Sequence, residues 1–267
     1  MKTHRDRLNG GKKAGGLVKK SVPGSPLISI ITVVHNAGDA LVRTIDEVRK
    51  QTYPHKEHII IDGGSTDGTL EILENDSDID YWLSEVDQGI YDAMDKGIEA
   101  ADGSWLYFLG VDDVFNSRDT LESIYGGRFM LEDADLVLGN VYTQGGLFKG
   151  RFGRALYFKN TVHHQGVFYR SHVFDRFRYC RPLKSGHARR WYGISGDYRL
   201  NLMLFLQGAS CIYVDKTIAR CQGGISMQGQ LRGYMEEIHI RHEQMGFCKA
   251  IFFDLFTLLR YLYKKIS

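Results

Sequence analysis

The central part of the chain alternates between short apolar runs and longer segments that are apolar on one side only. The apolar runs have the length and content of buried strands, and they cover residues 27–34, 58–62, 79–84 and 104–110. Between them, apolar residues recur every three or four positions, as on one helix face, in segments 38–51, 66–75 and 88–101. This alternation predicts an α/β fold with a Rossmann-like, mostly parallel central sheet and flanking helices.

The two ends of the chain differ from this centre. Residues 1–26 are rich in Gly, Lys and Arg and predict a disordered basic tail. Residues 27–115 and 116–230 are expected to form two halves of one domain, followed by amphipathic helices over 231–267. No uncharged apolar run of about 18 residues occurs and no apolar segment follows the basic N-terminus, so we expect neither a spanning helix nor a signal peptide.

Polar residues follow each of the four predicted strands. In strand order they are Thr32 to Asn36, then Asp62, then Glu85 and Asp87, and finally Asp112 and Asp113. Because sheets of this class bind ligands at the carboxyl ends of their strands, we expect these residues to lie at one site.

Asp112 and Asp113 are adjacent carboxylates at the end of an apolar strand. Like charges at the edge of a core repel each other, and a divalent cation would remove that cost. Carboxylate oxygens suit Mg2+ or Mn2+, which also bind diphosphate oxygens. The alternative is a helix N-cap, because the sequence DDVFNSRDT can start a turn.

The charge of the chain is unevenly distributed. The net charge of the 267 residues is only +2. Residues 62–135 nevertheless contain 20 acids and 3 bases, whereas residues 151–190 contain 10 bases and 1 acid. The acidic region can hold a cation and the basic region can face an anion, unless both are solvated faces. The four Cys residues form no CxxC pair and are typical of reduced thiols in a cytosol.

Residues 247–267 predict an interfacial helix. Its apolar face is formed by Ile251, Phe252, Leu255, Leu258, Leu259 and Leu262. Its basic residues are Lys249, Arg260, Lys264 and Lys265. This composition suits peripheral contact with anionic lipid headgroups. A helix packed on the protein's own core, or in a dimer, is the alternative.

Six segments in order resemble the motifs of the family 2 glycosyltransferases, in particular the bacterial branch that builds surface polysaccharides. They are SIITVVHNAGDAL, HIIIDGGSTDGTLEIL, SEVDQGIYDAMDKGIEAADGSWLYFLGVDD, HHQGVFYR, SGDYRLNL and GGIS. The resemblance implies the glycosyltransferase-A fold, a nucleotide-sugar donor such as a UDP-sugar, a divalent metal, Mn2+ or Mg2+, and inversion at the anomeric carbon. It also implies a hexosyl- or N-acetylhexosaminyl-transferase that acts on a glycan or lipid-linked acceptor, in the cytoplasm at the inner face of the cell membrane.

The resemblance assigns the donor to residues 27–115 and the acceptor to residues 116–230. For the nucleoside pocket and the contact to its base it implies Thr32, Val34, Asn36, Asp62 and Gly63. Beside the sugar and diphosphate it implies Asp87, Asp92 and Lys96. Two of these have plain structural alternatives, since Asp62 can be a turn former and Lys96 a solvated lysine. Tyr91 is expected in the core, although it could border the sugar.

The remaining motifs imply the reacting groups. Asp112 and Asp113 match the metal-binding motif, His164 and Gln165 the acceptor side of the cleft, and Asp197 the general base. The segment 223–226 resembles a loop that closes over the diphosphate. The histidines can instead be core or turn residues, and Asp197 a helix N-cap.

The chain departs from the family pattern at two glycines. Gly110 stands where many relatives have an Asp, so metal contact rests on Asp112 or Asp113 with the diphosphate supplying other oxygens. Gly196 stands where many have a Glu, so Asp197 has no adjacent carboxylate to raise its pKa.

Three other function classes are alternatives to a glycosyltransferase. A nucleotidyltransferase would usually carry a Gly-rich loop with Arg or Lys after its first strand, which VVHNAGDA lacks. A non-catalytic nucleotide-sugar-binding protein would be free to lose Asp197. A nucleic-acid binder is disfavoured because the basic region contains no recognisable nucleic-acid module.

Overall fold

A computed structural model describes residues 7–127, 131, 133–180, 192–221 and 231–266. Within them the strands are β1 (Leu8–Gly10), β2 (Ile28–Val34), β3 (Lys56–Asp62), β4 (Tyr81–Ser84), β5 (Trp105–Phe108), β6 (Val114–Phe115), β7 (Leu136–Thr143), β8 (Gly146–Lys149), β9 (Val167–Arg170) and β10 (Cys211–Arg220). The helices are α1 (Asp39–Arg49), α2 (Thr69–Asn75), α3 (Ile90–Ala100), α4 (Thr120–Tyr125), α5 (Val173–Arg176), α6 (Gly196–Leu206), α7 (Leu231–Met245) and α8 (Phe247–Ile266).

The predicted parallel sheet is present in the N-terminal half. Strands β4, β3, β2 and β5 lie side by side in that order and are parallel to one another. The chain moves outward from β2 to β4 and then crosses back to β5 on the other side of β2. The β2–β5 boundary is therefore the topological switch point at which α/β sheets bind ligands. This arrangement confirms the predicted fold class.

The C-terminal half continues the same sheet with mixed strand directions. Strand β9 pairs antiparallel with β5 and with β7, and β10 then pairs parallel with β7. Strand β6 pairs antiparallel with β10, although it lies in the predicted first half of the domain. The two halves thus share one hydrogen-bonded sheet and cannot be separated at residue 115.

Helices pack on both faces of the sheet through the apolar stripes that the sequence predicts. Helix α1 buries Leu41, Ile45 and Val48. Helix α3 lies close to β2, and a Cβ added at Gly97 would collide with the Ile31 side chain. A glycine at this position lets the helix and the strand approach each other.

The expected disordered tail is wrong for residues 7–26. Strand β1 pairs antiparallel with β4, from Leu8 opposite Ser84 to Gly10 opposite Trp82. Lysines of the tail pair with acids of the domain, Lys19 with Asp80 at 2.7 Å among them. The reason is that β4 would otherwise end the sheet with unpaired backbone groups, and acids beside it attract the basic segment. Residues 1–6 lie outside the described part of the chain.

The predicted C-terminal helices are present as α7 and α8, which pack against each other. Helix α7 also contacts α6. Across the ranges that the structure describes, no helix is long and apolar enough to cross a membrane.

Candidate active site at the carboxyl edge of the sheet

Asp62, at the end of β3, organises the loop that follows it. Its carboxylate is fully buried and accepts hydrogen bonds from the Ser65 backbone N–H, at 3.2 and 3.0 Å, and from the Ser65 hydroxyl. The Ser84 hydroxyl donates to it at 2.6 Å. Asp62 therefore holds β3, β4 and the GGS turn together, as a turn former does.

The three residues predicted at the end of β2 are placed differently from one another. The Thr32 side chain is buried and hydrogen-bonded to His58 Nε2 at 3.0 Å. Val34 packs in an apolar cluster with Leu41. Asn36 has a left-handed backbone with φ of 52° and accepts a hydrogen bond from the Thr66 N–H at 2.8 Å. Of the three, Asn36 is the one exposed at the loop surface.

Gly63 allows two loops to meet. A Cβ added there would lie 2.5 Å from Asp87 Oδ2 and 3.4 Å from His35 Nδ1. Asp87 in turn accepts a hydrogen bond from the Gly89 N–H at 2.8 Å, just before α3 begins. The Asp87 carboxylate is thus fixed over the backbone of β3 and beside the end of β2.

Lys96 is enclosed by acids rather than solvated. Its ammonium lies 2.9 Å from Glu85 Oε1 and 3.3 Å from Asp92 Oδ2, and the side chain is 5% exposed. A buried ammonium needs such partners, because desolvation of an unpaired charge is costly. Lys96 therefore joins the end of β4 to α3, on the side where the sequence predicts the diphosphate.

Asp112 and Asp113 lie in the turn after β5 and have different partners. Asp112 has φ of 68° and pairs with Arg43 of α1 at 2.6 Å. Asp113 is 5% exposed and accepts a hydrogen bond from Gln165 Nε2 at 2.5 Å. A Cβ at Gly110 would collide with the Asp113 carboxylate, so a side chain at this position would require Asp113 to move.

This turn has the donor chemistry for a hard divalent cation. Two carboxylates lie next to each other in sequence, and Gln165 Nε2 holds one of them, Asp113. Outside the undescribed segments, no group of three or more His, Cys, Asp or Glu side chains could hold a metal. Asp112 and Asp113 are the two acids of this turn that could hold such a cation together with oxygens of a bound ligand.

His163 and His164 are neutral at physiological pH. Burial lowers the pKa of His163 to about 4 and the pKa of His164 to about 3. Their rings stack with centroids 5.6 Å apart, immediately before Gln165. His164 and Gln165 form a short 3-10 turn whose carbonyl, at Gln165, accepts a hydrogen bond from the Tyr107 hydroxyl at 2.9 Å. Both imidazoles are therefore uncharged.

Asp197 lies in the first turn of α6 and is held by two donors. Asn160 Nδ2 donates to its Oδ2 at 2.9 Å, and the Tyr198 N–H donates to its Oδ1 at 2.8 Å. Burial raises the pKa of Asp197 to about 6 despite these hydrogen bonds. A side chain of the neighbouring Gly196 would overlap the Tyr91 ring, 2.8 Å from its Cζ. Burial therefore raises the pKa of Asp197 although no carboxylate is adjacent to it in sequence.

Sequence comparison identifies the family. Residues 29–187 match the family described as glycosyl transferase family 2. A PGL/p-HBAD biosynthesis glycosyltransferase of Mycobacterium bovis is 37% identical over 190 residues, which cover 68% of this chain and 70% of that protein. The chain belongs to glycosyltransferase family 2. The family assignment and the enzyme class that the sequence predicts are thereby confirmed.

Other relatives of this glycosyltransferase share shorter regions or the fold alone. The glycosyltransferase GlyG of Streptococcus pneumoniae is 33% identical over 122 residues, covering 44% of this chain and 40% of that protein. A crystal structure of S. aureus TarS residues 1–349 with UDP-GlcNAc matches with a TM-score of 0.60 at 18% identity, covering 81% of this chain and 65% of that one. The match to the longer TarS chain covers 44% of its length.

A mannosyltransferase, PcManGT from Pyrobaculum calidifontis in complex with GDP-Man and Mn2+, matches with a TM-score of 0.55 at 15% identity. This match covers 88% of this chain and 69% of that one. At such identities these neighbours establish the glycosyltransferase-A fold of this glycosyltransferase.

The fold brings the predicted residues of this glycosyltransferase together through hydrogen bonds between its two halves. Gln165 bonds to Asp113, and the Tyr91 hydroxyl of α3 donates to the Ile194 carbonyl at 2.8 Å, just before Asp197. Thr32 and Val34 are enclosed in the sheet and its core. The segment 223–226, predicted to close over the diphosphate, lies outside the described residues.

Several residues of the site were not predicted. They are Arg43 on Asp112, Asn160 on Asp197, Ser65 and Ser84 on Asp62, and Cys221, whose thiol pKa is raised by burial and by the neighbouring Asp113 carboxylate. Ser65 had a sequence signal, because Asp-Gly-Gly-Ser is typical of a turn in which the first side chain caps the fourth N–H. The other four lie far from their partners in sequence and carry no local pattern.

Proposed function

We propose that this glycosyltransferase inverts the anomeric carbon of a nucleotide-sugar donor, with Asp197 as the general base. The observation that carries the proposal is the state of Asp197, a partly buried carboxylate with a pKa of about 6, oriented by Asn160 and the Tyr198 N–H. A base with a pKa near the working pH is ionised often enough to accept a proton and basic enough to hold it.

The donor is proposed to be a UDP-sugar bound along the carboxyl ends of β2 to β5. The fold-level similarity to TarS, whose structures contain UDP and UDP-GlcNAc, supports this choice. In this assignment Asn36, Asp62 and Gly63 shape the nucleoside end, and the buried Thr32 and Val34 support it from within the sheet and its core. Asp87, Asp92 and Lys96 flank the sugar and diphosphate, and residues 27–115 form the donor-binding half.

A divalent cation, Mn2+ or Mg2+, is proposed at Asp112 and Asp113. When bound, it would stabilise negative charge on the departing nucleoside diphosphate. The similarity to a mannosyltransferase solved with Mn2+ supports this at the level of the fold. The protein's own part is to hold Asp113 through Gln165 and to keep Asp112 accessible, at 45% exposure, beside Arg43.

The acceptor is proposed to be a hydroxyl group of a glycan or a lipid-linked sugar in polysaccharide biosynthesis, at the inner face of the cell membrane. Residues 116–230 form the acceptor-binding half, with His164 and Gln165 beside the cleft. His164 and the neighbouring His163 are neutral, so they can hydrogen-bond to a sugar hydroxyl without adding charge. As the hydroxyl attacks the anomeric carbon of a hexosyl or N-acetylhexosaminyl donor, its proton passes to an Asp197 oxygen and the diphosphate leaves.

The test is turnover of a panel of UDP-, GDP- and dTDP-sugars with Mn2+ or Mg2+, comparing wild type with Asp197→Asn. Asp197→Asn should bind the donor as wild type does and lose transfer by about 100- to 10,000-fold. Its melting temperature should not fall, since the amide avoids the cost of a buried charge. Asp175→Asn is the matched control, because Asp175 is exposed on the short helix α5.

Three results would contradict the proposal. Turnover of Asp197→Asn within a few-fold of wild type would remove Asp197 as the base. Donor binding without turnover by wild type would indicate a non-catalytic nucleotide-sugar-binding protein. Release of pyrophosphate in place of a nucleoside diphosphate would indicate a nucleotidyltransferase.

A further inference from the structure

The C-terminal helix α8 exposes its apolar side. Eight large apolar side chains on it are between 40% and 72% exposed. They are Phe247, Ile251, Phe252, Leu255, Phe256, Leu258, Leu259 and Leu262. At 100° per residue these positions cover about half the circumference of a helix about 30 Å long. We call these eight residues the α8 apolar face.

The opposite side of α8 faces the protein and combines ion pairs with aromatic contacts. Arg241 Nε of α7 donates to Asp254 at 3.0 Å, and His242 Nε2 of α7 lies 2.6 Å from the other Asp254 oxygen. Arg260 pairs with Glu237 at 2.8 Å, and the Phe253 ring packs on Phe158. The Arg241 side chain is fully buried, so turning α8 to hide its apolar face would leave a buried charge without its carboxylate. The side of α8 that carries Asp254 and Arg260 is therefore the side that packs on the protein.

We propose that the α8 apolar face binds the surface of an anionic lipid bilayer. Charge complementarity selects this partner over a second copy of the chain. Lys249 is exposed on α8, and the sequence adds Lys264 and Lys265 in its last turn. Arg154 and Lys159 are also exposed, on the segment that packs against α8. A half-apolar helix with phenylalanines and flanking lysines is suited to lie at the boundary between headgroups and acyl chains.

The segment under α8 leads directly to the proposed base. The Phe158 ring packs against Phe253, on the protein side of α8, with centroids 4.8 Å apart. It also contacts Phe256, at the edge of the α8 apolar face, with centroids 5.3 Å apart. Two residues further on, Asn160 donates to Asp197. The inference therefore deepens the proposed function and rests on it: α8 would seat the acceptor side of the cleft at the bilayer, where a lipid-linked acceptor is held.

The experiment is flotation of the full-length protein with vesicles of phosphatidylcholine containing phosphatidylglycerol, at low and high salt. Wild type should float, and less at high salt. Leu255→Glu combined with Leu259→Glu should reduce the floating fraction at least about tenfold, because carboxylates oppose insertion and anionic lipid. The matched control is Leu17→Glu, since Leu17 and Leu255 are both leucines with 61% exposure. This control should float as wild type does.

Three outcomes would overturn the inference. The first is equal flotation of the Leu255→Glu/Leu259→Glu variant and wild type, and the second is no flotation of wild type at low salt. The third is a wild-type dimer in lipid-free buffer that the double variant converts to monomer, which would make the face a contact between copies.

Hydrolysis of the donor in solution, measured on the same samples, separates the two proposals. Donor turnover without flotation would contradict only the proposal that the α8 apolar face binds a bilayer. A protein that floats without turnover contradicts only the proposed function.

Discussion

At the scale of single residues, two charged side chains of the site have states that the fold sets. Burial holds the pKa of Asp197 at about 6, above its ordinary value, while donors from Asn160 and Tyr198 oppose that rise. Arg43 places a guanidinium on Asp112, one of the two proposed metal ligands. Each state gives a prediction that a single substitution can check.

The Asn160 amide should lower the pKa of Asp197 by favouring its charged form. Asp197 must be ionised to accept a proton, so the transfer rate should fall as the pH drops below about 6. Asn160→Ala removes a donor to the carboxylate and should move this fall to higher pH, by about one unit. The measurement is kcat/KM against pH, with Asn75→Ala on the exposed end of α2 as the control. An unshifted pH profile would show that Asn160 does not influence the pKa of the group that accepts the proton.

Arg43 should compete with the metal for Asp112. Arg43→Gln removes a positive charge beside the carboxylate, so Mn2+ should bind more tightly. The Arg43 and Asp112 side chains are 63% and 45% exposed, so the gain in Mn2+ affinity should be modest, about 1.5- to 5-fold in Kd. Calorimetry with Mn2+ checks it, and Arg49→Gln on the same helix, paired with Asp46 and Asp76, is the control. Unchanged metal affinity with weaker donor binding would instead make Arg43 a donor ligand.

At the scale of elements, the N-terminal segment is part of the sheet. Strand β1 covers β4, and a Cβ at Gly10 would lie 2.6 Å from the Trp82 ring. The contact exists only if the segment is docked, because a disordered tail would tolerate any side chain at this position.

Gly10→Ala should therefore destabilise the protein. Overpacking of this kind costs about 1–3 kcal/mol in the free energy of unfolding, which urea denaturation can measure. Gly145→Ala is the matched control, since its Cβ would meet only the Thr143 hydroxyl, at 3.7 Å. Equal stability of wild type and Gly10→Ala would instead support the disordered tail that the composition predicts.

At the scale of the whole molecule, the site belongs to neither half alone. The parallel half supplies Asp62, Lys96 and the Asp112–Asp113 turn, and the mixed half supplies Gln165 and Asp197. Strand β9 joins the halves by pairing with β5 and β7. Unfolding of either half should therefore abolish the whole site.

The sequence by itself determined the parallel half of the fold and assigned the proposed site to one edge of the sheet. Four strands and three helices could be predicted because each has a local hydrophobic period that neighbours in sequence suffice to reveal. Parallel strands then place their carboxyl ends together, so Asp62, Asp87, Asp112 and Asp113 could be assigned to one edge. The family was indicated separately, by the resemblance of six motifs in order to those of family 2 glycosyltransferases, and the family match over residues 29–187 confirms it.

Tertiary structure alone decided what depends on residues distant in sequence. The docking of β1 follows from the open edge of β4. The raised pKa of Asp197 follows from its burial in the folded chain, which local sequence cannot produce. The helical period of α8 predicted its apolar face, but which side it exposes was set by Arg241 and Glu237 of α7. These are long-range effects of packing and desolvation, and they exist only once the chain has folded.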